Sequence, residues 1–340
     1  MYKIFQQIGV FLFVISFSAG TMAAEVNIYS ARKEKLIKPL LDQFSAQTGI
    51  KTNLITASAD KLLTRMVNEG RNTPADILIT VDAGRLYRAV QADIFQPIKS
   101  RKIEQIVPAH LRHPNMLWIG LSQRARVIFY APDRVNPEQL SSYENLAQEQ
   151  WHKRICIRGS GNIYNQSLVA SMIVANGEQA TQDWAEALVN NMARPPKGGD
   201  RDQIKAAAAG QCDIAVANTY YYGKMLEAKK DSAQYRAAKK MALFWPNQDG
   251  RGAHVNISGA GISKYSRNRE NAIKLLEFLV SPEAQDWYAR VNYEYPVNAE
   301  VKPSGLLASW GSFKADGLNL SKLGELNAEA LKTMDRAGWK

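Results

Sequence analysis

Apolar residues recur in two rhythms along this chain. Over residues 35–48 they fall at 36, 37, 40, 41 and 44, the spacing of one helix face, and Gly49 closes the segment. Residues 59–69 repeat the pattern and stop at Gly70. Residues 26–30 and 50–55 read as short strands, the second with imperfect alternation. Residues 76–81 form a nearly continuous apolar run, as in a strand buried on both faces. Residues 84–92 are helical again, and this βαβαβ order predicts a mostly parallel sheet covered by helices.

A second unit of the same kind follows Trp118. Residues 125–130, 154–158 and 212–217 read as strands, and residues 166–176, 181–193 and 201–209 as helices. Residues 254–263 read as a strand returning to the first unit, followed by helices over 268–280 and 282–291. The pattern predicts two α/β lobes joined by crossing strands. A ligand in such a fold binds where strand ends and helix N-termini face the gap.

The N-terminus changes the picture by setting a compartment. Lys3 is the only charged residue before Glu25, residues 8–17 are largely apolar, and residues 18–24 end in small side chains. This predicts a secretory signal peptide over residues 1–24, cut after Ala23 or Ala24, and a soluble exported chain. The segment is too short for a strong membrane span, and no Cys near the cut offers a lipid anchor. The two cysteines, Cys156 and Cys212, sit in short apolar stretches that could be neighbouring strands. An oxidising compartment permits a bridge between them, but spacing does not fix the Cα separation a bridge requires, and two buried thiols are the plainer reading.

Charge narrows the function classes. The 340 residues carry a net charge of +11, but Lys and Arg are scattered rather than blocked, and no nucleic-acid-binding motif is present. A protein with anionic ligands, or one working beside an anionic membrane, fits that balance. The chain has no G-x-S-x-G, H-E-x-x-H, Walker A loop or strand-bound G-x-G-x-x-G, so it does not read as an enzyme. His110, His113, His152 and His254 share no ligand spacing and read as surface or core.

The candidate chemistry lies in tyrosines. Tyr220, Tyr221 and Tyr222 are consecutive just past an apolar strand, and Tyr164 sits where a loop opens a helix. A phenolate is a hard anionic oxygen donor suited to Fe³⁺. The ordinary role of such rings is to pack at strand ends with the hydroxyl wet. Gly159-Ser160-Gly161-Asn162 precedes a helix and could cradle an anion on free N–H groups. Of the arginines, Arg32, Arg124 and Arg126 stand where one or two could line the cleft, favour phenolate and hold an anion bidentately.

With these features together, the chain resembles the periplasmic ferric-iron-binding proteins of bacterial ABC importers. The matching stretches are residues 74–85, 120–127, 162–167, 198–203 and 256–259, and Asn218-Thr219-Tyr220-Tyr221-Tyr222-Gly223-Lys224. The resemblance implies the class II two-lobed periplasmic-binding-protein-like α/β fold, closing on Fe³⁺ between lobes. The first lobe would take residues 25–123 with 247–298, and the second residues 124–246 with 299–340. It implies Tyr164, Tyr220 and Tyr221 as metal ligands, with Tyr222 packing behind them. Arg32 and Arg124 match the arginines that approach the iron and can hold an anion such as carbonate. One departure stands out: many members carry His, or His then Tyr, just after the first strand, and here that place reads Arg32-Lys33-Glu34. Glu34 is the one hard-oxygen candidate left there. The implied partners are a membrane permease and its ATPase, the implied state is a periplasmic monomer, and nucleic acid has no part. Two other readings remain. One is a binding protein of the same fold for a metal-free anion such as phosphonate or sulfate, held by the Gly159–Gly161 turn and the arginines. The other is an exported enzyme.

Overall fold

A computed structural model describes residues 24–303 and 305–340. The expected signal segment lies outside the described residues, save for Ala24. Nine strands appear in chain order: β1 (Glu25–Ser30), β2 (Lys51–Thr56), β3 (Ile77–Val81), β4 (Phe95–Gln96), β5 (Ile119–Tyr130), β6 (Ile155–Cys156), β7 (Ile214–Asn218), β8 (Ala242–Phe244) and β9 (Val255–Ser263). They join in the order β2-β1-β3-β9-β5-β7-β6, with β4 on β9 and β8 on β5.

The fold is the expected two-lobed α/β class, and the mixed sheet refines it. Parallel pairing holds for β1 with β2, β1 with β3, and β6 with β7, the strands linked through helices. The two crossing strands, β5 and β9, pair antiparallel with each other and with their other neighbours. β5 is twice the length the sequence pattern shows. Its first half pairs with β9, up to Ala125 opposite Val255, and from Arg126 opposite Asn218 it pairs with β7. A single strand therefore passes from one lobe to the other, and Arg124 and Arg126 sit at the exchange point.

Helix starts follow local chemistry. The segment read as a helix over residues 35–48 divides into a 3₁₀ turn at Glu34–Leu36 and a helix at Lys38–Thr48. Pro39 sets the boundary, because a residue without an N–H fits only in a first turn. Leu40, Leu41 and Phe44 of that helix are buried, and Gly49 ends it at φ 71°. The C-terminal residues carry no strong pattern yet form two packed helices. Ser321–Glu325 lies on the helix Ala83–Gln91 so closely that a Cβ on Gly324 would fall 2.1 Å from Tyr87 Cβ. Asn327–Arg336 packs on the helix Ile163–Asn176, which carries Tyr164.

Cys156 and Cys212 are joined by a disulfide across a Cα separation of 5.9 Å, so two free thiols is not the outcome. Arg154 and Asp213 show why they meet: the Arg154 carbonyl accepts from the N–H groups of Asp213 and Ile214, which sets β6 beside β7. The bridge closes a separation of 56 residues within the second lobe's core. Replacing both cysteines by serine is expected to lower unfolding stability by about 2–4 kcal/mol. Thermal unfolding of oxidised protein against the double variant measures it; equal midpoints would deny the bridge any part in stability.

Candidate metal centre

Tyr164 and the Tyr220-Tyr221 pair occupy equivalent local positions. β7 is wholly buried, and the chain leaves it at Asn218 in extended geometry to start the helix Thr219–Leu226. Tyr220 and Tyr221 are its second and third residues. Tyr164 is the second residue of Ile163–Asn176, inside the helix rather than in the loop before it. In a first turn the free N–H groups and the helix dipole favour anionic oxygen nearby. The hydroxyls of Tyr220 and Tyr164 meet at 3.4 Å, and the rings of Tyr220 and Tyr221 pack at a tilt of 34° with centroids 4.2 Å apart. Tyr222 turns the other way: its hydroxyl donates to the Met241 carbonyl at 2.7 Å, and its ring packs on Phe129.

The three tyrosines line a cleft of about 730 Å³. Arg32, Arg124, Arg201 and Lys224 line it as well, together with Lys33 and Lys35. Glu34 does not; it is exposed on its 3₁₀ turn. Two carboxylates do face the cleft, Glu227 and Glu294, and Glu294 is the buried one. Arg32 donates to both its oxygens, at 3.0 and 3.1 Å, Arg124 Nε stands 3.5 Å away, and the Ser122 hydroxyl donates to it. Both guanidinium groups also donate to the Ser258 hydroxyl. Nothing in the sequence marks this residue, which lies 262 positions from Arg32. Burial pushes the Glu294 carboxyl up, and Arg32, Arg124 and their hydrogen bonds outweigh it, holding it down to about 2.

The phenols behave differently from the expectation that arginine would favour phenolate. Burial pushes Tyr220 well above its ordinary value and the neighbouring tyrosines add to it, while Arg124, with its guanidinium 5.4 Å from the ring centre, pulls the other way and loses. Tyr221 is raised by burial, Tyr164 and Asp200 against the opposing effects of Tyr220 and Arg158. Both are neutral phenols until something positive displaces their protons. Lys224 is pushed down to about 8 by burial and by the three cleft arginines, against Glu294.

Among the described residues no group of three or more His, Cys, Asp or Glu side chains could hold a metal ion, so the phenols are the hard oxygen donors gathered here. The Gly159–Gly161 turn is not an open anion cradle. Its Ser160 N–H donates to the Lys340 carbonyl, and a Cβ on Gly159 would lie 2.7 Å from that oxygen.

The family model for bacterial extracellular solute-binding proteins matches residues 72–309. The chain belongs to that family. Among relatives of this solute-binding protein, iron uptake protein A1 of Synechocystis is 51% identical over 93% of this chain and 88% of its own. A Trichodesmium structure, described as IdiA or FutA in complex with iron and citrate ligands, superposes with a TM-score of 0.91 at 51% identity, over 93% of this chain and all of the other. Ferric iron-binding protein A of Mannheimia haemolytica, in an open conformation, gives a TM-score of 0.87 at 42% identity over 93% and 99%.

Acid should destabilise this solute-binding protein from two buried groups. His254 lines a small void behind Tyr164, and burial, with the charges of Arg251 and Arg126, holds it down to about 3. A depressed histidine favours the folded state only while neutral. Its contribution is complete above an unfolded value of 6.5 and is lost as pH falls toward 3. Glu294 follows between 4.5 and about 2. Stability is expected to fall by a few kcal/mol, at about 1.4 kcal/mol per unit of pKa difference, with the loss starting near pH 6.5. His254→Gln should flatten the curve between pH 6.5 and 4.5 in denaturant titrations; an unchanged slope would remove His254 as its source.

Proposed function

We propose that this chain captures ferric ion in the cleft between its lobes, through the phenolates of Tyr164, Tyr220 and Tyr221, and delivers it to a membrane permease driven by an ATPase for iron uptake. The observation that carries the reading is the convergence of three phenols, one buried and two half-buried, from two helix N-termini on one cationic cleft. The names of the relatives at 51% identity point the same way. The setting is the periplasm, with the chain working as a monomer and as a binder rather than a catalyst.

Charge bookkeeping suggests how the site is completed. Three phenolates balance Fe³⁺. Arg32, Arg124, Arg201, Lys33 and Lys35 line the cleft against Glu227 and Glu294, so its wall stays net positive, and Lys224 adds to this when protonated. A small anion such as carbonate, or a carboxylate from a chelate, fills that surplus and the open coordination positions. The cleft is far larger than a bare ion, leaving room for such a group. The metal-free anion reading is weaker, because the Gly159–Gly161 turn lies outside the cleft lining and is bonded to the chain's own C-terminus. Closing of the lobes would bring Arg32 over the ion and exclude water.

A visible absorption titration of the protein with ferric nitrilotriacetate tests this. A phenolate-to-iron band is expected to saturate at one ion per chain, with Tyr220→Phe and Tyr164→Phe shifting or abolishing it. Absence of a band in the wild-type protein, with bicarbonate or citrate present, removes the reading. Binding should also release protons from the three phenols, less those taken up by the freed nitrilotriacetate, and weaken as pH falls. Affinity independent of pH between 5 and 8 would count against phenols as the donors.

A further inference from the structure

Arg126 is 1% exposed and does not line the cleft, yet it touches every segment that carries a candidate ligand. Its Nη1 donates to Asp200 Oδ1 at 2.8 Å and to Asn218 Oδ1 at 3.0 Å. Its Nη2 donates to Asn165 Oδ1 at 2.6 Å and to the Val216 carbonyl at 3.3 Å. Asn165 directly follows Tyr164. Asn218 stands two residues before Tyr220. Asp200 opens the helix Asp200–Ala208, whose N-terminus faces the same point.

The network closes on itself. Asp200 also accepts from Arg158 at 2.7 Å and from the Asn218 N–H at 3.1 Å, and Asn165 Nδ2 donates to the Arg158 carbonyl at 2.7 Å. Asn218 makes no side-chain cap on its own helix, so its amide oxygen is committed to Arg126. A planar guanidinium fixes its acceptors in a plane at set angles, which a lysine ammonium cannot do. A buried ion pair is also a weak source of net stability, so stability alone is a poor account of this arrangement.

We propose that Arg126 is the positioning residue of the ferric site. It locks the first turns bearing Tyr164 and Tyr220-Tyr221 at one separation, so that the phenol oxygens are placed for a single ion before it arrives. This rests on the tyrosine reading above.

The test compares wild-type protein with Asn165→Ala, Asn218→Ala, Arg126→Lys and Tyr220→Phe. Ferric affinity is read by competition with nitrilotriacetate, together with the wavelength of the phenolate-to-iron band and the thermal midpoint. Leu276→Ala, in the core beneath the first lobe, serves as a destabilised control. Each asparagine variant is expected to weaken binding about 10–100-fold and move the band, with Arg126→Lys losing at least as much, which is the range for residues supporting metal ligands. The control should keep both affinity and band at an equal or greater loss of midpoint. Should Arg126→Lys fail to fold, the asparagine variants decide. A normal wild-type band with unchanged affinity and wavelength in both asparagine variants overturns the positioning role and leaves the tyrosine site standing. A missing wild-type band, or a Tyr220→Phe protein that binds as wild type, fails the tyrosine reading instead.

Discussion

A carboxylate with almost no access to water, Glu294, is hydrogen-bonded to Arg32 after β1 and ion-paired at 3.5 Å with Arg124 within β5, two guanidinium groups from distant parts of the chain. Removing three charges from water costs several kcal/mol each unless they compensate one another at close range. Here they do, and the hydroxyls of Ser122 and Ser258 take part in the same network. The cleft can thus present cations to a ligand without leaving them mutually repelling in a dry wall. Arg124 links this group to the phenols, since its guanidinium lies over the Tyr220 ring. The electrostatics of the site, the burial of its floor and the joining of the lobes all pass through the same cluster.

Local physics was legible in the sequence. The apolar spacing of residues 36–44, the stops at Gly49 and Gly70, and the buried run of β3 all depend on neighbours a few positions away, and the structure places them close to where the pattern does. The same holds for the tyrosine run after β7, an unusual concentration of one donor type. What could not be read were pairings made across long separations. Glu294 lies in a stretch with no periodicity of its own, and only the fold brings it to Arg32. Arg126 reads from sequence as a candidate cleft arginine, and only the change of partners of β5 at that residue places it behind the cleft instead. The disulfide needed the β6–β7 register, which a spacing of 56 residues does not supply. The proposed tyrosine roles draw on the resemblance and on the cleft that the fold builds around the three phenols.

The proposed site would combine preset donors with a cleft that is not shaped tightly to its ligand. The phenols come from the first turns of packed helices, one of them braced by the C-terminal helix Asn327–Arg336. Lys33, Lys35 and Arg201 sit around the cleft on more exposed ground. Rigid donors with a looser cationic surround suit a ligand whose core is constant and whose accompanying groups vary.

The position of β9 carries a consequence for how the molecule is made. β3 lies between β1 and β9, so the first sheet lacks its inner partner until residues 255–263 have been synthesised. The N-terminal third therefore completes its sheet only after most of the chain has been made. Until then one edge of the apolar strand β3 has no partner, a state prone to aggregation and slow to resolve because the missing contact is so remote in sequence. A first sheet finished by a strand from the far end of the chain favours folding of the whole over folding in sequence order.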